Sequence, residues 1–167
     1  QDCLIMDETL FRTVQSAYVI LEKGYKDNKE VLLIQRANTG FFDGLWCFPA
    51  GRLDMLENEN PPRLETPVEA GIREAKEEVG VDISEHRLHL RTSIGRVAEE
   101  GDHLRMDHFL YSRRWRGEPF NNEPEYASDI GWFALNHLMV PLAPMMLTFL
   151  EKQHIWVPDI DQQYKKV

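Results

Sequence analysis

Apolar residues along this chain follow two periods. Short alternating or continuous runs rich in β-branched and aromatic residues predict strands at 14–21, 30–35, 46–48, 87–97, 103–113 and 130–133, with Lys26-Asp27-Asn28 as a turn between the first two. A helical period holds Val68, Ile72, Ala75 and Val79 on one stripe that must face a core. Thr66, Pro67 and Glu69 read as N-cap, first helical residue and capping-box acid, so this helix starts at Pro67. Gly80 suits the left-handed conformation that closes it after Val79. A second helix is predicted over 142–153, with Leu142, Met145, Met146 and Phe149 on its apolar face. Strands outnumber helices, and the two classes together predict an α/β sandwich. At 167 residues the chain is expected to form one domain spanning 1–167, with no repeat and no interdomain linker.

The first helix also carries charge at a telling spacing. At about 100° per residue, Glu74, Glu77 and Glu78 share an arc away from the apolar stripe, with Glu74 and Glu78 one turn apart. Like charges so placed destabilise a helix and raise one another's pKa. Arg73 reaches Glu69 or Glu77 one turn away, yet one guanidinium does not neutralise three carboxylates. A hard divalent cation does, and Mg²⁺, with Mn²⁺ as the alternative, also binds phosphate oxygens. An EAKEE segment by itself is an ordinary solvated helix face.

The wider pattern decides between these readings. Glu65, seven further residues, then Arg73-Glu74-Ala75-Lys76-Glu77-Glu78-Val79-Gly80-Val81 resembles the Nudix box, G-x5-E-x7-R-E-U-x-E-E-x-G-U with U apolar, and matches it at every fixed position from Glu65 onward. The first glycine departs from the pattern. Position 59 is glutamate, and the equivalent glycine is Gly51 in the FPAG sequence, which implies an insertion of eight residues within 52–64. Two prolines with Asp54, Glu57 and Glu59 mark that stretch as a surface loop tolerant of added length.

The resemblance covers about 14–150 and is similar to MutT-like members that hydrolyse nucleoside triphosphates. It implies a mixed sheet between helices, with the catalytic loop and helix between strands. It also implies Mg²⁺ bound by Glu74, Glu77 and Glu78, by the carbonyl of Ala50, and by a further acid from WRGEPFNNE, for which Glu123 is the expected residue. Glu125, Glu118 and the Glu99-Glu100-Asp102 group are the alternatives to Glu123. Arg73 is expected to orient the cluster and Arg36 to steady the phosphates, with Trp46 beside the substrate. Glu74, Glu77 and Glu123 remain the candidates for the base that takes the proton from water. Two departures bear on substrate. Leu142 stands where relatives selective for oxidised guanine carry asparagine, and PAG replaces PGG as in relatives that cleave ADP-ribose or nucleoside diphosphate conjugates. Both substrate branches stay open.

Composition narrows the setting. With 28 acidic against 19 basic side chains, the net charge of −9 opposes nonspecific nucleic-acid binding, so the expected partner is a small nucleotide. Cys3 and Cys47 fit no metal motif and no disulfide framework, which points to a reducing cytoplasm. Cys47 is a core residue by its apolar neighbours, although a diphosphate isomerase on the same scaffold would use it chemically. A nucleotide sensor without turnover is the other rival. No apolar run has the length of a membrane span. Assembly as a homodimer is left open by the sequence.

Overall fold

A computed structural model describes residues 13–98, 101 and 103–153. Among these residues nine strands and two α-helices run in the order β1 (Thr13–Lys23), β2 (Glu30–Arg36), β3 (Trp46–Cys47), β4 (Ala50–Arg52), β5 (Met55–Leu56), β6 (Arg63–Leu64), α1 (Pro67–Val79), β7 (His89–Val97), β8 (Leu104–Ser112), β9 (Ala127–Ala134) and α2 (Pro144–Lys152). The main sheet is ordered β3-β2-β1-β8-β7, with β4 added to β1 and β9 to β2. β1 and β8 are parallel, from Thr13 opposite Leu104 to Leu21 opposite Ser112, and the other pairings are antiparallel.

Both faces of this mixed sheet are covered, which is why β1 is buried continuously from Ser16 to Leu21 instead of alternating. Gly71 of α1 lies against Val19 and Leu110, whereas Phe149 of α2 stacks on Phe109 with ring centroids 4.4 Å apart. Phe109 and Leu110 are neighbours on one strand and point to opposite faces, so the two helices sit on opposite sides. The expected α/β/α sandwich is the observed one.

Several predicted boundaries move. The stretch 52–64 is not all loop, because β5 and β6 pair as a short hairpin within it. The last strand begins at Ala127, three residues before the predicted start, and β4 is a separate strand that pairs with β1. α2 begins at Pro144, with Ala143 as its N-cap, and Leu142 instead bridges Trp46 as an extended residue. Pro144 occupies the one helical turn where proline is welcome, and prolines 141 and 144 disfavour helix in the residues just before them. The buried residues of α1 are Ala70, Gly71, Glu74, Ala75 and Val79, while Val68 and Ile72 are only partly covered. Gly71 causes this rotation of the buried face. A Cβ there would meet Leu88 at 2.9 Å, so its absence lets the backbone approach the sheet.

The N-terminus of α1 is built as the sequence predicts. The Thr66 hydroxyl accepts from the Glu69 amide at 3.2 Å, and the Glu69 carboxylate accepts from the Thr66 amide at 2.8 Å. Arg63 from β6 then forks onto both Glu69 oxygens, each at 2.8 Å, so the hairpin is fastened to the first turn of the helix. Hydrogen bonds from Arg63, and then from Thr66, hold Glu69 down at about 2. A carboxylate with a lowered folded pKa stabilises above its unfolded value and loses that contribution as pH falls toward the folded one. Glu69→Gln is therefore expected to lower Tm by a few degrees at pH 7, with the gap from wild type closing between about pH 4.5 and pH 2. Thermal melts of both proteins across that range check this, and a gap independent of pH would refute it.

Candidate active site

Arg73 organises the site. Its guanidinium meets Glu65 as a bidentate pair at 3.0 and 2.8 Å, donates to Glu77 at 3.0 Å and to the Arg52 carbonyl at 2.8 Å, and contacts Glu74. Five donors in a rigid plane allow one side chain to join the end of β4, the segment before α1 and the helix itself. Glu65 is buried and also accepts from the Asp54 amide at 2.9 Å, and Arg73 holds its carboxyl below the usual range.

Glu74, Glu78 and Glu123 are shifted the other way. Glu74 is buried, and burial raises its pKa, with Glu77 and Glu123 adding to the effect. Glu78 is pushed up to about 8, first by burial and then by Glu74, while the Ala50 amide donates to it at 2.7 Å. Glu123 is raised by burial and by Glu77. Three carboxylates thus feel the charge of neighbouring carboxylates near a single guanidinium.

Two details of local folding bring them together. A Cβ on Gly51 would fall 1.8 Å from a Glu74 carboxylate oxygen, so the strand can pass beneath that side chain only as glycine. At the other end of α1, the segment 120–122 satisfies the last carbonyls. The Phe120 amide donates to Val79 at 3.2 Å and the Asn122 amide to Glu78 at 3.0 Å. The Asn122 side chain reaches the Glu77 carbonyl at 2.8 Å and that of Lys76 at 3.3 Å. These are groups that a helix end leaves without partners, and meeting them here delivers Glu123 to the carboxylates.

A cavity of about 330 Å³ adjoins the cluster, with Ala50 and Gly51 in the wall between them. Arg36, Arg52 and Arg105 line it, Ser16 and Tyr18 belong to its lining from β1, and no Asp or Glu among the described residues does. Arg36 donates to the Phe41 carbonyl at 2.8 Å, and its charge partly offsets the elevation of Glu78. Acceptor-rich phosphates suit such a cavity, because its arginines focus a positive field on an entering anion.

Hard oxygen donors that raise one another's pKa fit a hard divalent cation. Glu74 and Glu77 are turned onto Arg73 and Glu78 onto Ala50, so among the described residues no three carboxylates are gathered as a metal-binding group in this geometry.

The family model described as NUDIX domain matches residues 13–153. The chain belongs to the Nudix family. That membership supports, at the level of reaction class, hydrolysis of a diphosphate linkage in a nucleotide-derived substrate. No curated protein sequence matches the chain significantly. Among solved structures, a MutT NUDIX hydrolase from Burkholderia pseudomallei is 26% identical with a TM-score of 0.67, over 84% of this chain and 97% of that one. The NUDIX domain of Shewanella oneidensis NrtR, complexed with ADP ribose, gives a TM-score of 0.66 at 21% identity over 90% of this chain and 92% of that one. The E. coli ORF135 protein gives 0.63 at 22% identity, over 86% and 90%. The last two share the fold.

Within this Nudix domain the structure brings Arg73, Glu74, Glu77, Glu78, Ala50 and Glu123 together, with Arg36 beside them. Glu74 and Glu78, expected on the open side of the helix, are covered by β4 instead. Trp46, expected beside substrate, is 8% exposed with its ring edge on Phe133 at 4.7 Å, and it lies outside the cavity lining, so it belongs to the core. Leu142 is buried on Trp46. Cys47 lines the cavity, but burial pushes its thiol up to about 12, which keeps it protonated and a poor nucleophile. Glu99, Glu100 and Asp102 lie outside the described residues. Sequence reasoning gave no role to Glu65, Asn122 or Arg105. Glu65 had a usable clue, its fixed distance from Arg73, whereas Asn122 and Arg105 became visible only with the tertiary structure.

Gly51→Ala tests the close approach of strand and helix. The clash is with the far end of a flexible side chain, so Tm should stay within a few degrees of wild type while Glu74 is displaced. Turnover is expected to fall about 100-fold, as for a small misplacement of a reacting group. Unchanged turnover would show that Glu74 can serve from another position.

Proposed function

We propose that the protein hydrolyses a phosphoanhydride bond in a nucleoside triphosphate or a related nucleoside diphosphate derivative, by attack of water at phosphorus. The observation that carries this reading is the Arg73-clamped carboxylate cluster opening, across Ala50 and Gly51, onto an arginine-lined cavity with no acidic lining among the described residues. Glu74, Glu77, Glu78, Glu123 and the Ala50 carbonyl would hold Mg²⁺, or Mn²⁺ in its place. When bound, the ion neutralises diphosphate charge and lowers the pKa of water.

The side chains divide the remaining work. Arg73 fixes the carboxylates, Arg36 and Arg52 meet the phosphate chain, and the proton of the attacking water passes to one carboxylate among Glu74, Glu77 and Glu123. The triphosphate branch is the preferred one, supported by likeness to the MutT NUDIX hydrolase. Cleavage of ADP-ribose or a nucleotide sugar is the second branch, supported by the PAG sequence at 49–51. The free Cys47 thiol supports a cytoplasmic setting, and no helix among the described residues is long and apolar enough to cross a membrane.

Incubation with Mg²⁺ and a panel of triphosphates, ADP-ribose and nucleotide sugars, read by phosphorus NMR, tests the proposal. Pyrophosphate with a monophosphate establishes the triphosphate branch, and monophosphate with a sugar phosphate the conjugate branch. Turnover of none of them would overturn the reading.

A further inference from the structure

The far end of the cavity holds a charge that the phosphates do not account for. Arg105, on β8, lies two strands from Arg52, because Ser16 of β1 sits opposite both Arg52 and Asp107. Two strand spacings and the two-residue rise from Asp107 to Arg105 place the two arginine backbones about 12 Å apart, a gap that their side chains and a nucleotide can span. The guanidinium has little to hold it. Among the described residues its one hydrogen bond goes to the neutral Ser16 hydroxyl at 3.4 Å, Nε is buried without a partner, and the face meets the Phe41 ring at 5.8 Å. The nearby Asp107 accepts from Arg96 through Oδ2 at 2.6 Å, and its Oδ1 takes no hydrogen bond from Arg105. A partly buried cation left so under-bonded is costly to the folded protein unless an acceptor arrives.

The surroundings identify that acceptor. Tyr18, Phe41 and Met145 line the same cavity, offering flat and polarisable surfaces suited to a base more than to a second phosphate. A guanidinium matches two acceptors side by side, the O6 and N7 edge of a 6-oxopurine, whereas adenine presents an N6 amino donor there. Among the described residues no carboxylate lines the cavity to receive that amino group.

We propose that Arg105 is a specificity residue that selects 6-oxopurine nucleotides over adenine nucleotides by donating to the O6 and N7 edge. This rests on the nucleotide-hydrolase reading, and the test separates the two. Dissociation constants are measured by calorimetry for the α,β-methylene analogues of GTP, ITP and ATP, and kcat/KM on the parent triphosphates, for wild type, Arg105→Met and Arg105→Lys.

Wild type is expected to bind the GTP and ITP analogues at least about tenfold more tightly than the ATP analogue, the two 6-oxopurines alike. Arg105→Met should bring the three within about twofold, and Arg105→Lys, which lacks the fork, should restore only part of the preference. The Tm of Arg105→Met should be at or above that of wild type, which a purely structural arginine would not allow. No 6-oxopurine preference in wild type, or a preference that survives Arg105→Met, would overturn the assignment. Selective binding without turnover of any nucleotide would instead uphold it and refute the hydrolase reading.

Discussion

Glu78→Gln is expected to reduce kcat roughly a thousandfold and, in EDTA at pH 8, to raise Tm by several degrees. The two effects share one cause. Glu78 is covered, accepts from the Ala50 amide and lies beside Glu74, so its ionised form is disfavoured in the folded protein. A carboxyl whose folded pKa is raised from 4.5 to about 8 contributes stability below its unfolded value and loses it as pH rises through the folded one. Glutamine retains the acceptor for Ala50 and does not titrate. The advantage of the variant should therefore open between about pH 4.5 and 8 and level off above. Mg²⁺ should reverse the order by stabilising wild type more than the variant, because a ligand that binds only the native state raises its Tm. Melts with and without Mg²⁺, beside steady-state rates, check both halves. Activity near that of wild type would remove Glu78 from the site.

Arg73→Ala should be the most damaging single change to fold and activity together. It leaves the buried Glu65 carboxylate without its bidentate partner and frees Glu74 and Glu77 toward each other. Removing one member of a buried pair costs about 3 kcal/mol, and loss of carboxylate positioning should lower kcat/KM about 100-fold or more. Arg73→Lys should recover little, since a point charge cannot bridge Glu65, Glu77 and the Arg52 carbonyl at once. Urea unfolding and kinetics of both variants give the answer, and an Arg73→Lys enzyme close to wild type would mean that charge alone matters.

Much of this was legible in the residues themselves, for reasons that differ by element. The limits of α1 follow from local chemistry, Thr66, Pro67 and Glu69 at one end and Gly80 at the other, and the structure keeps both. The carboxylate spacing follows from the helix pitch, so Glu74, Glu77 and Glu78 needed no tertiary information. What covers them did. Glu74 is buried because Gly51 lets β4 pass close beneath it, a contact across the inserted segment that no local pattern encodes. Trp46 had the composition of a base-stacking residue and became core because β3 lies against Phe133 and Leu142. The hairpin of β5 and β6 was hidden because each strand is only two residues long, with turn-forming residues between them. Arg105 lies on a strand whose buried and exposed positions cannot be told apart until both sheet faces are known to be covered.

The capping of α1 by 120–122 has a consequence for motion. Because the amides of Phe120 and Asn122 close the helix end, the loop that bears Glu123 cannot open without exposing the carbonyls of Glu78 and Val79. Loops are commonly the first segments to exchange their amide hydrogens, yet these two amides belong to the same cooperative opening unit as the last turn of the helix. In a deuterium-exchange time course they should lose protection together with that turn, well after the neighbouring exposed Glu125.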